Sequence, residues 1–212
     1  MKIKTLANHN GVTLIELLVV LVISSLLVGG MYRLFISQSK AYNVQDQVVE
    51  TQQGTRAAME LLLRDLRMTG YDDSRTAAVT ISQPVLPEDH AITVRYEYNS
   101  AQYEARYWID GSLRLMRQET NGAVSRTEQV LENVEILDFV YGIDGDEDGR
   151  MDDRNSNGML DDWLPAGSVG SQKVVAVRVT LTARPSQINQ DLRNVSPRSL
   201  TSSVTLRNLS MI

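Results

Sequence analysis

The chain has 212 residues, 42% of them hydrophobic and 22% charged, which is enough apolar material for a buried core and excludes a disordered chain. The net charge is −5, yet eight acids and two bases between positions 144 and 162 carry −6 and leave +1 on the rest; no basic field is available for nucleic acid. Cysteine is absent, so an exported domain would be held by packing and by metal in place of disulfides.

Residues 1–11 are polar and basic and end in Asn10-Gly11. An apolar run begins at Val12, and no residue from 17 to 32 is charged. An ordinary secretory signal places its small-residue cleavage site after the apolar run. Here the glycine precedes it, so a cut after Gly11 leaves the apolar segment on the mature chain. Residues 12–35 number 24, against roughly 20 needed to cross a hydrocarbon core. Glu16 interrupts them near the start; a carboxylate inside a membrane helix costs roughly 2.5–3.5 kcal/mol on insertion scales, so it points to a function.

The helical pattern continues through residues 36–70. Ala41, Val44, Val48, Thr55, Met59, Leu62, Leu63 and Leu66 recur mostly three or four apart, the mark of an amphipathic helix with one buried stripe. Gly70 is the expected stop. A continuous helix over 12–68 would be roughly 85 Å long, too long for a compact domain, so its first half is expected to project. Gly29-Gly30 is its expected soft point, since glycine weakens a helix interior by roughly 1 kcal/mol.

Beyond Gly70 the period changes. Residues 75–90 read as loop, with Pro84 and Pro87. Strand patterns follow over 91–98, 103–109, 113–118, 134–141, 173–183 and 203–209, and 184–202 reads as loop. Asp110-Gly111 between two of these runs is a hairpin signal. Trp108 is expected in the core, and Trp163 is expected to pin the end of the acidic segment to the sheet. The fold class is α+β: a long N-terminal helix packed on an antiparallel sheet. The chain therefore reads as a leader (1–11), a membrane or fibre-core helix (12–35), the amphipathic half of that helix (36–70) and a sheet domain (71–212) with an acidic insertion at 144–162.

Gly11-Val12-Thr13-Leu14-Ile15-Glu16-Leu17 followed by an apolar helix closely resembles the cleavage motif of type IV prepilins and pseudopilins. The resemblance implies that a prepilin peptidase cuts between Gly11 and Val12 and that the new Val12 amine is methylated. It also implies that Glu16 pairs with the N-terminal amine of a neighbouring subunit during assembly; a buried carboxylate needs such a partner. One departure is that no proline interrupts the apolar helix.

The acidic insertion is a tandem repeat of period nine. Asp144-x-Asp146-x-Asp148-Gly149-x-x-Asp152 is followed at once by Asp153-x-Asn155-x-Asn157-Gly158-x-x-Asp161. Alternating oxygens with a turn-permitting glycine resemble the start of an EF-hand loop. The twelfth positions are Asn155 and Leu164, not the required glutamate, so this is no EF-hand. The tandem pattern looks more like the calcium repeats of thrombospondin type 3 modules. The candidate ligands are Asp144, Asp146, Asp148, the Arg150 carbonyl, Asp152, Asp153, Asn155, Asn157 and Asp161, with Ca²⁺ the expected ion because it accepts six to eight oxygens in flexible geometry. Without an ion, a solvated turn-rich acidic loop is the alternative.

The run Val134-Glu135-Ile136-Leu137-Asp138-Phe139-Val140-Tyr141, the Val-rich stretch 174–181 and the closing Val204-Thr205-Leu206-Arg207-Asn208 resemble the PilW family of minor pilins. That resemblance implies a low-abundance subunit that primes fibre assembly with other minor and major pilins. It would sit near the tip, where an adhesin can be presented. It would be held in the bacterial inner membrane by a single pass, sheet domain periplasmic, until assembly carries it to the cell surface. A minor pseudopilin of type II secretion (GspJ-like), a competence or conjugation pseudopilin, and a calcium-dependent pilus adhesin are the alternatives. An enzyme is not expected: beyond the leader the only histidine is His90, there is no Gly-x-Ser-x-Gly, and no phosphate loop opens a helix.

Overall fold

The computed structural model describes residues 12–73, 81–154, 156, 159, 162–185 and 195–210. Helix α1 runs unbroken over Leu14–Met68, through Gly29 and Gly30. The chain divides into two compact units between Asp46 and Gln47. In the first, every residue from Val12 to Phe35 is exposed, the large apolar ones included. In the second, α1 buries Thr55, Ala58, Met59, Leu62, Leu63, Asp65 and Leu66. The amphipathic stripe therefore becomes a core face only from Thr55 onward; Val44 and Val48 are half-buried and Ala41 is exposed.

The α+β reading holds, with the sheet divided in two. Strands β1 (Val85–Pro87), β2 (Ala91–Tyr98), β3 (Ala101–Ile109), β4 (Leu115–Asn121) and β5 (Val124–Leu131) form an antiparallel meander in chain order. Strands β6 (Val134–Asp144), β7 (Leu164–Pro165), β8 (Lys173–Ala183) and β9 (Arg198–Thr205) form the second sheet in the order β7-β6-β8-β9, also antiparallel. Short helices α2 (Ala166–Val169) and α3 (Arg207–Ser210) complete the unit. One core joins the α1 stripe to Ile92, Val94, Ala105, Tyr107 and Leu115 of the first sheet and to Leu137, Phe139, Tyr141, Val177, Val179 and Leu181 of the second. Each such large side chain contributes about 1.5–3 kcal/mol by leaving water.

The turns explain the register. Asn99 and Ser100 both take positive φ, 52° and 58°, which is the two-residue hairpin geometry whose twist matches the strands. The hairpin signalled by Asp110-Gly111 exists, but the left-handed residue is Leu113, φ 58°. Asp110 N–H donates to Arg114 O at 3.0 Å, closing a three-residue loop instead of a two-residue one. Asp110 Oδ1 accepts from Ser112 N–H and Arg114 N–H, and Oδ2 from the Arg114 guanidinium. Those hydrogen bonds from Arg114 hold the Asp110 carboxyl below its ordinary pKa.

Three strand expectations are corrected. Residues 203–209 are not one strand: β9 starts at Arg198 and ends at Thr205, and Arg207–Ser210 is helical. Strand β5 lies where no strand pattern reads, because an exposed edge strand needs no apolar alternation. Within the expected 75–90 loop, β1 pairs with β2. Trp108 is half-buried, not core; it faces away from Tyr107, with the Arg106 guanidinium 5.7 Å from its ring centre.

Candidate functional site: a helix signature and an acidic loop

At the N-terminal end, Thr13 caps α1. Its hydroxyl accepts from Glu16 N–H at 3.3 Å, filling a donor that a helix start leaves open, and its carbonyl accepts the first intrahelical bond, from Leu17 N–H at 3.1 Å. Glu16 lies in the first turn, where the helix dipole favours a carboxylate. Val12 is 73% exposed, and Gly11 lies outside the described residues. The helix is long and apolar enough to cross a membrane.

The acidic loop leaves the sheet at the end of β6. Asp144 is the last residue of that strand and is only 2% exposed. Its Oδ1 accepts from Asp148 N–H at 3.1 Å and its Oδ2 from Gly149 N–H at 3.0 Å. Asp146 Oδ1 also accepts from Asp148 N–H (3.3 Å), and Asp148 Oδ1 from Arg150 N–H (2.8 Å). Asp152 turns back so that both its oxygens accept from Gly145 N–H at 3.1 Å, while its own N–H donates to Ile143 O at 2.8 Å. The alternating acids thus wrap the chain around their own side chains, with Glu147 and Gly149 at φ 63° and 81°.

The result is a carboxylate group. Oxygens of Asp144, Asp146 and Asp152 all lie within 4.8 Å of one another. Two oxygens on one calcium, each at about 2.3–2.6 Å, can stand no more than about 5 Å apart, so the three are close enough to share an ion. Among the described residues, no Lys or Arg ion-pairs with any of them. Of the other expected ligands, Asp148 turns one oxygen to the Arg150 amide; Asp153 is half-buried in the following turn. Asn155, Asn157 and Asp161 lie outside the described residues. Met151 anchors the loop: it packs with Val175, Ala176 and Trp163, and the Arg178 guanidinium sits 4.2 Å from the Trp163 ring centre. Trp163 therefore pins the segment to the sheet as its position indicates.

A second polar group was not legible as a site. Asp65, buried in α1, accepts from the Tyr107 hydroxyl at 2.6 Å and from Arg117 Nε at 2.8 Å. Arg117 also reaches Glu128 at 3.2 Å and Glu119. Burial first, then the Asp65 charge and hydrogen bond, push the Tyr107 phenol well above its ordinary pKa; hydrogen bonds and charge from Asp65 outweigh burial and raise that of Arg117. A signal existed: Asp65 falls three after Leu62 on the apolar stripe, and Arg117 falls two after Leu115 on the inward face of β4. Among the described residues His90 joins no group of metal-ligating side chains; its Nδ1 lies 3.3 Å from Leu137 O.

The comparisons with known proteins fall on both regions. The family of type IV pilus-assembly protein W matches residues 101–208, which covers β3 to α3 and includes the acidic loop. The prokaryotic N-terminal methylation motif matches residues 6–32. No curated protein matches the chain. With half of its length matched and a prepilin-type signal ahead of it, the chain belongs to the PilW family of type IV pilus-assembly proteins.

Proposed function

We propose that this pilin-type subunit is a minor pilin that primes fibre assembly, sits near the pilus tip and carries a structural calcium ion in its acidic loop. One observation carries the reading: a methylation motif over 6–32, a helix whose apolar residues 12–35 are exposed and the PilW match over 101–208 occur in one chain. Family membership indicates a structural protein.

In this reading the prepilin peptidase cuts after Gly11, Val12 is N-methylated, and residues 12–35 hold the chain in the inner membrane with the sheet domain in the periplasm. Glu16 is the one acid in an otherwise apolar segment. Pairing with the amine of a neighbouring subunit removes a cost of a few kcal/mol and fixes the axial register of the entering helix. Other minor and major pilins, and a tip adhesin, are the partners.

The acidic loop fits calcium by its donor set. Asp144, Asp146 and Asp152 would supply the carboxylates, with Asp148, the Arg150 carbonyl, Asp153, Asn155, Asn157 and Asp161 available to complete an oxygen shell. An ion there supplies positive charge and a cross-link in a chain without cysteines. The protein's own contribution is the ring of backbone N–H groups that orients the acids.

The test is a deletion strain complemented with the wild-type chain or with Glu16→Ala, scored for surface pili, twitching and secretion of exoproteins. Loss of pili with secretion intact, restored by wild type and not by Glu16→Ala, is the expected result. Normal pili with secretion lost would replace this reading with a type II secretion pseudopilin. Normal pili and secretion with lost adhesion would make it a pilus adhesin.

A further inference from the structure

The last four carbonyls of a helix have no partner inside it. In α1 they belong to Asp65, Leu66, Arg67 and Met68. Leu66 O accepts from Thr69 N–H at 3.2 Å, Met68 O from Tyr71 N–H at 2.9 Å, and Asp65 O from the Thr69 hydroxyl at 3.5 Å. The remaining one, Arg67 O, is served from the far end of the chain. Asn208 Nδ2 donates to it at 3.3 Å and to Thr69 O at 3.1 Å.

The same short turn is wedged on both sides. Leu209 closes on Gly70: a Cβ at that glycine, φ +70°, would stand 2.4 Å from Leu209 Cδ2. Ser210 O lies against the acidic loop: a Cβ at Gly149, φ +81°, would stand 2.3 Å from it. Gly149 N–H in turn donates to Asp144 Oδ2 at 3.0 Å. The turn is rooted in the second sheet by Leu206, fully buried, whose N–H donates to Val175 O at 2.8 Å. Two glycines thus bracket α3: a side chain at Gly149 would meet the backbone of Ser210, and one at Gly70 would displace the Leu209 side chain.

We propose that α3 is a latch that couples the 144–152 loop to the end of α1. Displacing the loop moves Ser210, and with it the Asn208 cap and the Leu209 plug. The coupling is reciprocal, as any linkage must be. Its contacts need no ion; where calcium enters as the controlling ligand, the proposal rests on the calcium reading above.

Hydrogen exchange read by mass spectrometry on the full chain in detergent micelles tests it, with segments 64–71 and 144–152 as readouts and Ala101–Ile109 as control. Gly149→Ala should raise exchange at 64–71 about fivefold, the scale of one lost hydrogen bond, and leave the control unchanged. Asn208→Ala, a milder change at a half-buried side chain, should raise exchange at 64–71 and at 144–152 together. Gly149→Ala that loosens 144–152 while 64–71 keeps its wild-type rate overturns the latch, as does Asn208→Ala with no effect on 144–152. The calcium arm separates the two readings. Calcium chloride that slows 144–152 must also slow 64–71; slowing of the loop alone sinks the latch and leaves the calcium site standing. No response to calcium, with both variants still raising exchange at 64–71, upholds the latch and removes the calcium site.

Discussion

Asp65 and Asp144 are equally hidden, 3% and 2% exposed, and they are held by different kinds of partner. Asp65 meets a guanidinium and a phenol from two neighbouring strands, and Arg117 passes the charge on to Glu119 and Glu128. Asp144 meets backbone N–H groups and two further carboxylates. Amides orient a carboxylate and strengthen it by charge-assisted bonds, but they bring no net positive charge. The first group is complete within the chain. Among the described residues no Lys or Arg of the chain ion-pairs with the second, and in the proposed reading a calcium ion would supply that charge.

The largest expected effect breaks the self-sufficient group. Asp65→Ala leaves the Tyr107 hydroxyl without its acceptor and Arg117 with only Glu119 and Glu128, and should cost about 3 kcal/mol, the low end for breaking a buried pair, read as a lowered midpoint in denaturant. Adding Arg117→Met to Asp65→Ala should recover part of that loss, because the buried cation that lost its most buried partner goes too. A double variant weaker than the single one by the full cost of a second site would show that the pair is not a unit.

Next in size is the loop. Calcium at a hundredfold excess over its dissociation constant should add about 2.7 kcal/mol to the full chain in detergent. Asp144→Asn should abolish the gain and Asp65→Asn should keep it, destabilised but still calcium-responsive. A melting temperature indifferent to calcium in the wild-type chain would end the calcium reading.

Tyr107→Phe should cost about 1 kcal/mol and change the alkaline limb of stability. Burial and Asp65 hold the folded phenol above the ordinary tyrosine value of 10.0, so above that pH the unfolded chain loses a proton that the folded chain keeps. Stability therefore falls as pH rises past the unfolded value, and Tyr107→Phe should flatten that fall. The smallest effect is at the Asp110 turn. Its carboxyl titrates below 3.8 when folded, so its contribution is present above that pH and fades as pH drops through the folded value. Asp110→Asn should remove that part of the acid limb and leave the calcium response intact.

The amino-acid sequence by itself determined the long helix, its apolar N-terminal half, the strands Ala91–Tyr98 and Lys173–Ala183 and the acidic repeat. Each of these rests on local periodicity or local turn chemistry, which a chain displays without its neighbours. Edge strand β5 escaped because Ser, Arg, Thr and Gln on an exposed edge show no burial alternation, and β9 is legible only over 203–205 because the inward position Ser202 interrupts its apolar pattern. Only the tertiary structure decided that Asp65 finds Arg117, 52 residues on, and that Asn208 caps a carbonyl 141 residues before it. Such pairings are set by which elements are packed together, and desolvation makes them obligatory only after that packing exists.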